Sequence, residues 1–274
     1  ERLKPVSLRP SLTTLKDAIN YNQIYECLMQ LNLMVYTPSN FIFDSKLEKY
    51  MGLNHKNENN LTQMGREEGI RRLMSINLLK RLESSVNSFK LTLKRIQHLI
   101  NSTIESIENY DANAEVDIKI DDEADFDYDD QNTDLFTVGK KVHIALRDID
   151  YVTWLKYLKA DSETLELLVL MIDDIQPEHD QKLQTLLEMI EKKINHPINE
   201  NNNKIIVFTA YSDTAEYLYT NVSHFVKDKF DLDTAMITGN VEGRTTIPKL
   251  RVDLNTVLTC FSPISKDKQL LMPD

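Results

Sequence analysis

The apolar positions of this chain change their rhythm near residue 200. Ahead of that point they recur at helical spacing; beyond it, short continuous apolar runs alternate with helical stripes. Ile19, Ile24, Leu28 and Leu31 predict a helix over Leu15–Asn32, after a connector bearing Pro5 and Pro10. Residues 37–62, with Pro38, Gly52 and many Asn, predict a loop. A long helical region follows from Arg66 to Tyr110. Within it Leu82, Val86, Phe89, Leu93, Ile96 and Ile100 recur at steps of 4, 3, 4, 3 and 4. That is a coiled-coil-like seam, and it requires a partner, because a lone helix is marginal in water. Further helices are predicted over Val152–Leu158, Ser162–Ile175 and Pro177–Ile194, the last with Leu183, Leu186, Leu187, Ile190 and Ile194 as its stripe. The last two can return along the seam and close a bundle.

Residues 196–203, with Pro197 and a run of Asn, mark a boundary. Ile205–Phe208 then reads as a strand buried on both faces. Thr209, Ala210 and Tyr211 make a turn into a helix that Asp213 caps, with Glu216 at the capping-box position and Ala215, Leu218, Val222 and Phe225 facing inward. A second strand, Ala235–Ile237, ends in Thr238-Gly239, and a last helix runs from near Pro248 to Cys260. Strand–helix alternation predicts parallel pairing between the segments around Ile206 and Met236. Two strands do not make a stable sheet, so this part reads as cut short. The expected fold is mostly α with a partial α/β part: a helical bundle over 1–198, then a truncated parallel-sheet lobe over 199–274. The start at Glu1 and the end at Met272-Pro273-Asp274 read as those of an excised segment.

Charge changes the picture in one place. The net charge is −11, but residues 111–134 hold eleven Asp/Glu and only Lys119. Without them 31 basic residues face 32 acidic ones, so the acidity is local and leaves room for a polyanionic partner. The tract itself reads as a solvated excursion, with Phe126 and Tyr128 as its only large docking groups. Two distant cysteines, Cys27 and Cys260, and the lack of a leader or a membrane-length apolar run point to a reduced, cytoplasmic protein with no membrane partner.

The search for chemistry is mostly negative. The only Gly-Lys pair, Gly139-Lys140, is followed by Lys141 and preceded by Asp134 where a Walker A loop requires Gly. Asp122-Glu123-Ala124-Asp125 spells an ATPase box, but it sits in the acidic tract with no such loop upstream, so the match is accidental. Six scattered histidines have no ligand spacing, and neither a metal site nor a catalytic residue is expected. Two features remain. Arg66, Arg71, Arg72, Lys80, Arg81, Lys90, Lys94 and Arg95 form a basic helical segment, equally readable as a solvated face or as a phosphate-tracking one. The Phe208-Thr209-Ala210-Tyr211 turn puts hydroxyls and helix N–H groups together, which suits a phosphate oxygen or ordinary capping.

Lys204-Ile-Ile-Val-Phe-Thr-Ala-Tyr resembles the strand and turn that open the second RecA-like lobe of superfamily-2 helicases and Swi/Snf-type translocases. Ile237-Thr238-Gly239 and Arg244 are similar to that lobe's second strand, its Gly and the Arg that follows. Arg71-Arg72-Leu73-Met74, Asn77-Leu78-Leu79-Lys80-Arg81-Leu82-Glu83-Ser84-Ser85 and Phe89 resemble the helical insertion of bacterial Swi/Snf-like helicases. Asp180, Lys182 and Leu183 look like the helix ahead of the lobe. The resemblance implies ATP-driven translocation on duplex DNA by a parent protein that uses ATP and Mg, whose missing N-terminal RecA-like lobe would be a partner of this one. Its Walker loops and Arg-rich motif do not occur here, so this segment alone is expected to hold no cofactor and to hydrolyse nothing. By the same resemblance Thr209 and Tyr211 would contact phosphates of one strand, Arg244 would support them, and Lys80 and Arg81 would extend the contact, all without reading bases. The interval between Arg244 and Phe261 is longer than in many relatives. The rival expectations are a non-enzymatic helical scaffold that docks a protein through an exposed Leu82–Ile100 stripe, and a small nucleotide-binding domain, which the lack of a Gly-rich loop disfavours.

Overall fold

The computed structural model describes residues 4–15, 20–50, 63–110, 117–118, 144–200, 202–239 and 241–263. Most of the acidic tract, Gly52, Asp122–Asp125, Phe126, Tyr128, Gly139-Lys140 and the last residues, Met272 among them, lie outside these. The chain divides into two compact units, Ile19–Asp174, and Glu1–Ala18 together with Ile175–Asp274. The division places residues 175–198 with the C-terminal part, not with the helical bundle predicted over 1–198.

The first unit holds α1 (Tyr21–Leu28), α2 (Leu47–Tyr50), α3 (Gln63–Ser84), α4 (Val86–Glu108) and α5 (Tyr151–Asp173). Asn20 and Gln23 exchange side-chain-to-backbone bonds of 3.1 and 2.9 Å, a capping box that starts α1 later than the apolar spacing suggests. The single helix expected from Arg66 to Tyr110 is two. Ser85 has an extended backbone (φ −157°, ψ 150°), and its hydroxyl accepts from the Ser88 N–H at 3.0 Å, so it caps α4 instead of prolonging α3.

The predicted seam is the core of this unit. Phe89, Leu93, Ile96 and Ile100 are fully buried, and α4 packs chiefly along α5, then against α3. α5 contributes Trp154, Leu158, Leu165, Leu168 and Ile172, also fully buried. It runs unbroken where two helices were expected, since residues 158–162 contain neither Gly nor Pro. Trp154 donates its indole N–H to the Met34 carbonyl at 2.9 Å, which satisfies the one polar atom of the largest core side chain. The seam is thus covered by α5, while the helix with Leu183 and Ile190, also expected there, packs in the other unit.

Asp161 is the exception in this core. It is buried on α5 and accepts the Asn32 backbone N–H at 2.7 Å and the Asn32 side-chain amide at 3.3 Å. It thereby fixes the bend at Leu33, which adopts a left-handed backbone (φ 54°). Burial pushes the Asp161 carboxyl above its usual range, against the hydrogen bonds from Asn32, Leu33 and Met34. Asp148 shows the opposite balance: burial opposes its ionisation, yet Lys49 at 2.6 Å and Tyr50 at 2.7 Å hold its carboxyl below the usual range. Two short strands, β1 (Asp117–Ile118) and β2 (Ile144–Ala145), pair antiparallel, so part of the acidic tract takes regular structure.

The second unit holds α6 (Gln181–Asn195), α7 (Ser212–Phe230), β3 (Ala235–Met236), β4 (Arg244–Thr245) and α8 (Leu254–Phe261). Asp180 ties it together. Its side chain caps α6 through the Lys182 and Leu183 N–H groups, each at 3.0 Å, and accepts the Tyr217 hydroxyl of α7 at 3.0 Å. Burial and then the Asp180 charge push the Tyr217 phenol upward, so it remains a donor. Thr13 forms a β-bridge with Asp180, which anchors the N-terminal segment.

The parallel pairing expected between the segments around Ile206 and Met236 is not formed. Met236 instead faces Arg244 in an antiparallel β3–β4 pair, and residues 204–208 belong to no strand. Local chemistry favours the hairpin. Thr238 closes its loop by bonding both the Val241 N–H (2.9 Å) and carbonyl (3.0 Å), and Thr245 and Thr246 add hydroxyl bonds to Thr234. The apolar run is left uncovered, with Ile206 57%, Val207 45% and Phe208 90% exposed.

Phe89→Ala should destabilise the protein by about 3–5 kcal/mol in urea unfolding, the range for emptying a large aromatic site. Asp161 gives a pH-dependent test. A carboxyl raised in the folded state contributes most below its unfolded pKa, and that contribution is lost as pH rises through the folded value. Relative to Asp161→Asn, the wild type should therefore lose stability as pH rises above the ordinary aspartate pKa of about 3.9. A difference that moves in the wild type's favour as pH rises would refute this.

Candidate nucleic-acid interface

The turn ahead of α7 is built one residue pair earlier than its sequence suggests. The N-cap is Tyr211, with an extended backbone (φ −123°, ψ 135°) and no side-chain cap, so Asp213 lies inside the first turn. Glu216 accordingly moves from the capping-box position to the fifth residue of the helix, about 6 Å along its axis. It is there free to face the neighbouring hairpin.

Arg244 comes from that hairpin. β4 places it opposite Met236, and Gly243 before it lets the chain lie against Val252, where a Cβ would meet Val252 Cγ1 at 2.7 Å. One guanidinium nitrogen of Arg244 is 3.9 Å from Glu216 Oε1. Tyr219, one turn further along α7, also feels Arg244: burial raises its phenol, and the guanidinium works against that rise. Thr209 is exposed and its hydroxyl accepts the Tyr211 N–H at 3.4 Å. Tyr211 itself is buried at 7% exposure. The second unit therefore carries an exposed hydroxyl at a helix N-terminus, and an exposed guanidinium beside Glu216 of the same helix, groups of the kind that suit a phosphate-bearing ligand.

Lys80 and Arg81 belong to the first unit. Lys80 is exposed on α3. Arg81 is 1% exposed and donates to the Ser88 hydroxyl at 3.0 Å, joining the end of α3 to the start of α4. Its chemistry is that of a helix junction; a nucleic-acid phosphate has no access to it in this arrangement. Much of the remaining basic segment is also engaged within the unit. Arg71 and Arg72 share Glu68, at 2.6 and 3.1 Å, and Lys90 pairs with Asp173 of α5. The hydrogen bonds from Arg71 and Arg72 hold the Glu68 carboxyl low. Arg72, Lys80, Lys94 and Arg95 are the cations of this segment that stand exposed.

The sequence missed Glu216 and Tyr219 as neighbours of Arg244, because the capping-box pattern assigned Glu216 to the helix end. Among the described residues no group of three or more His, Cys, Asp or Glu is placed to hold a metal ion, and no helix is long and apolar enough to cross a membrane. Comparison with family models, curated proteins and solved structures finds no match.

The two adjacent cations should separate in thermal unfolding. Arg81→Glu should cost about 3 kcal/mol or more, since it buries a carboxylate where a guanidinium was bonded, whereas Lys80→Glu should stay within about 0.5 kcal/mol of wild type.

Proposed function

We propose that the chain is a segment of a Swi/Snf-like superfamily-2 helicase or translocase, carrying a helical insertion and the first part of the C-terminal RecA-like lobe. Its task in this reading is to hold the backbone of duplex DNA. The observation that carries it is the approach of Arg244 to α7, the helix that the Thr209–Tyr211 turn opens: one guanidinium nitrogen lies 3.9 Å from Glu216 Oε1, in the second turn of that helix.

Two further observations bear on the reading. The run at 204–208 has the composition of a strand buried on both faces, yet it is exposed and unpaired. The reading makes it a strand of the lobe's sheet, whereas the parallel neighbour expected for it, around Met236, pairs with Arg244 instead. The Leu82–Ile100 stripe, which a protein-docking scaffold would expose, is buried against α5, so that alternative loses its surface. The chain has no Walker A loop, so in this reading ATP and Mg are held elsewhere in the parent protein. Nucleotide chemistry belongs to the parent protein, with the N-terminal RecA-like lobe as the second partner. Contacts through Thr209, Arg244 and Lys80 are to phosphates, so binding is independent of sequence. Tyr211 shapes the turn from its buried position.

Fluorescence anisotropy with a labelled duplex tests this. Non-specific binding should show a Kd in the range of about 10⁻⁴ to 10⁻⁶ M. For about three phosphate contacts, affinity should fall tens-fold between about 50 and about 200 mM salt. Arg244→Gln and Lys80→Glu should each weaken binding and reduce the salt slope by about one. Affinity indifferent to salt and to both substitutions would sink the proposal.

A further inference from the structure

Arg244 already has an anion beside it. Glu216 lies 3.9 Å away, beyond hydrogen-bond reach, with the guanidinium 52% and the carboxylate 36% exposed. Pairs that long and that exposed are weak, on the order of a few-fold in an equilibrium constant. A phosphate offers the same guanidinium short, bidentate bonds. The Glu216 carboxylate comes from α7 and Arg244 from β4, so the exchange of one anion for another needs no break in either element.

We propose that Glu216 is a displaceable internal anion: it occupies Arg244 in the absence of nucleic acid and yields that position to a backbone phosphate on binding. Glu216 thereby sets the affinity of the site low, which suits a surface that must release and re-grip successive phosphates. The proposal rests on the phosphate-holding reading above and adds a residue and a regulatory role to it.

Duplex binding by anisotropy at low salt, with wild type, Glu216→Gln, Arg244→Gln and the double variant, tests it. Asp228→Asn, an exposed carboxylate elsewhere on α7, controls for the change in net charge. Glu216→Gln should bind about three-fold tighter, in line with the strength of exposed ion pairs, with an unchanged melting temperature. In the Arg244→Gln background the same substitution should change affinity by less than about 1.5-fold, since contacting residues couple. Asp228→Asn should leave affinity as it is. An equal gain with and without Arg244, or no gain at all while Arg244→Gln still weakens binding, would overturn this role of Glu216 and leave the phosphate reading standing. No salt-sensitive binding by any of the proteins would overturn both.

Discussion

The packing of α4 along α5 is the contact on which the first unit depends. The seam from Phe89 to Ile100 and the stripe from Trp154 to Ile172 are each fully buried, and neither helix has another surface with that much apolar area to hide. Everything polar in the unit is arranged around this pair. Arg81 and Ser85 terminate α3 so that α4 can start at a new angle. Asp161 sits in the apolar stripe of α5 and captures the Asn32 backbone, and Trp154 reaches the Met34 carbonyl from one end of the same helix. The stretch from residue 32 to Met34, where a 3-10 helix begins, is thus bonded to α5 at two points. A buried carboxylate is a costly way to do this, and its raised proton affinity shows that burial outweighs the bonds it accepts.

The second unit is held by different means. It has few fully buried apolar residues, with Leu183, Ile190, Val226 and Met236 the main ones among those described. Polar pins do much of the work: Asp180 joins α6, α7 and the N-terminal segment, and a set of threonines closes the β3–β4 hairpin. Such bonds have modest net value when water competes for the same groups. A unit built this way depends on whatever covers its remaining apolar surface. Leu254 and Leu258 of α8 are exposed as well as Ile206, Val207 and Phe208.

The helical half was legible because its signal is periodic. Steps of three and four over six apolar residues specify a buried face whatever covers it, and the covered face is the one observed. The junction at Ser85 was not legible, since Ser84-Ser85 interrupts neither the apolar period nor the charge pattern; only the backbone angle shows the cap. Register in the second half failed for a physical reason. Periodicity says that Ile205–Phe208 prefers a strand but not which strand it pairs with, and the threonine bonds that favour β3–β4 depend on hydroxyl positions. At the candidate site the exposure of Thr209 and Arg244 agrees with what their residue types suggest. Arg81 was misassigned, because a basic residue next to an exposed Lys80 gives no hint that it faces inward.

The shape of the second unit bears on what a phosphate site there can be. A guanidinium on a two-residue strand is positioned only as well as that strand is, and β4 is held through one antiparallel partner and the close approach of Gly243 to Val252. Adding neighbours to the 204–208 run would stiffen the base of α7 from the other side, since Thr209 follows Phe208 directly and Tyr211 begins the helix. The uncovered run and the candidate site are therefore not independent features. Burying Phe208 fixes where Thr209 points, and the orientation of α7 fixes where Glu216 meets Arg244. A guanidinium and a turn held this loosely make any site here weak and adjustable, which accords with the alternation of grip and release proposed above.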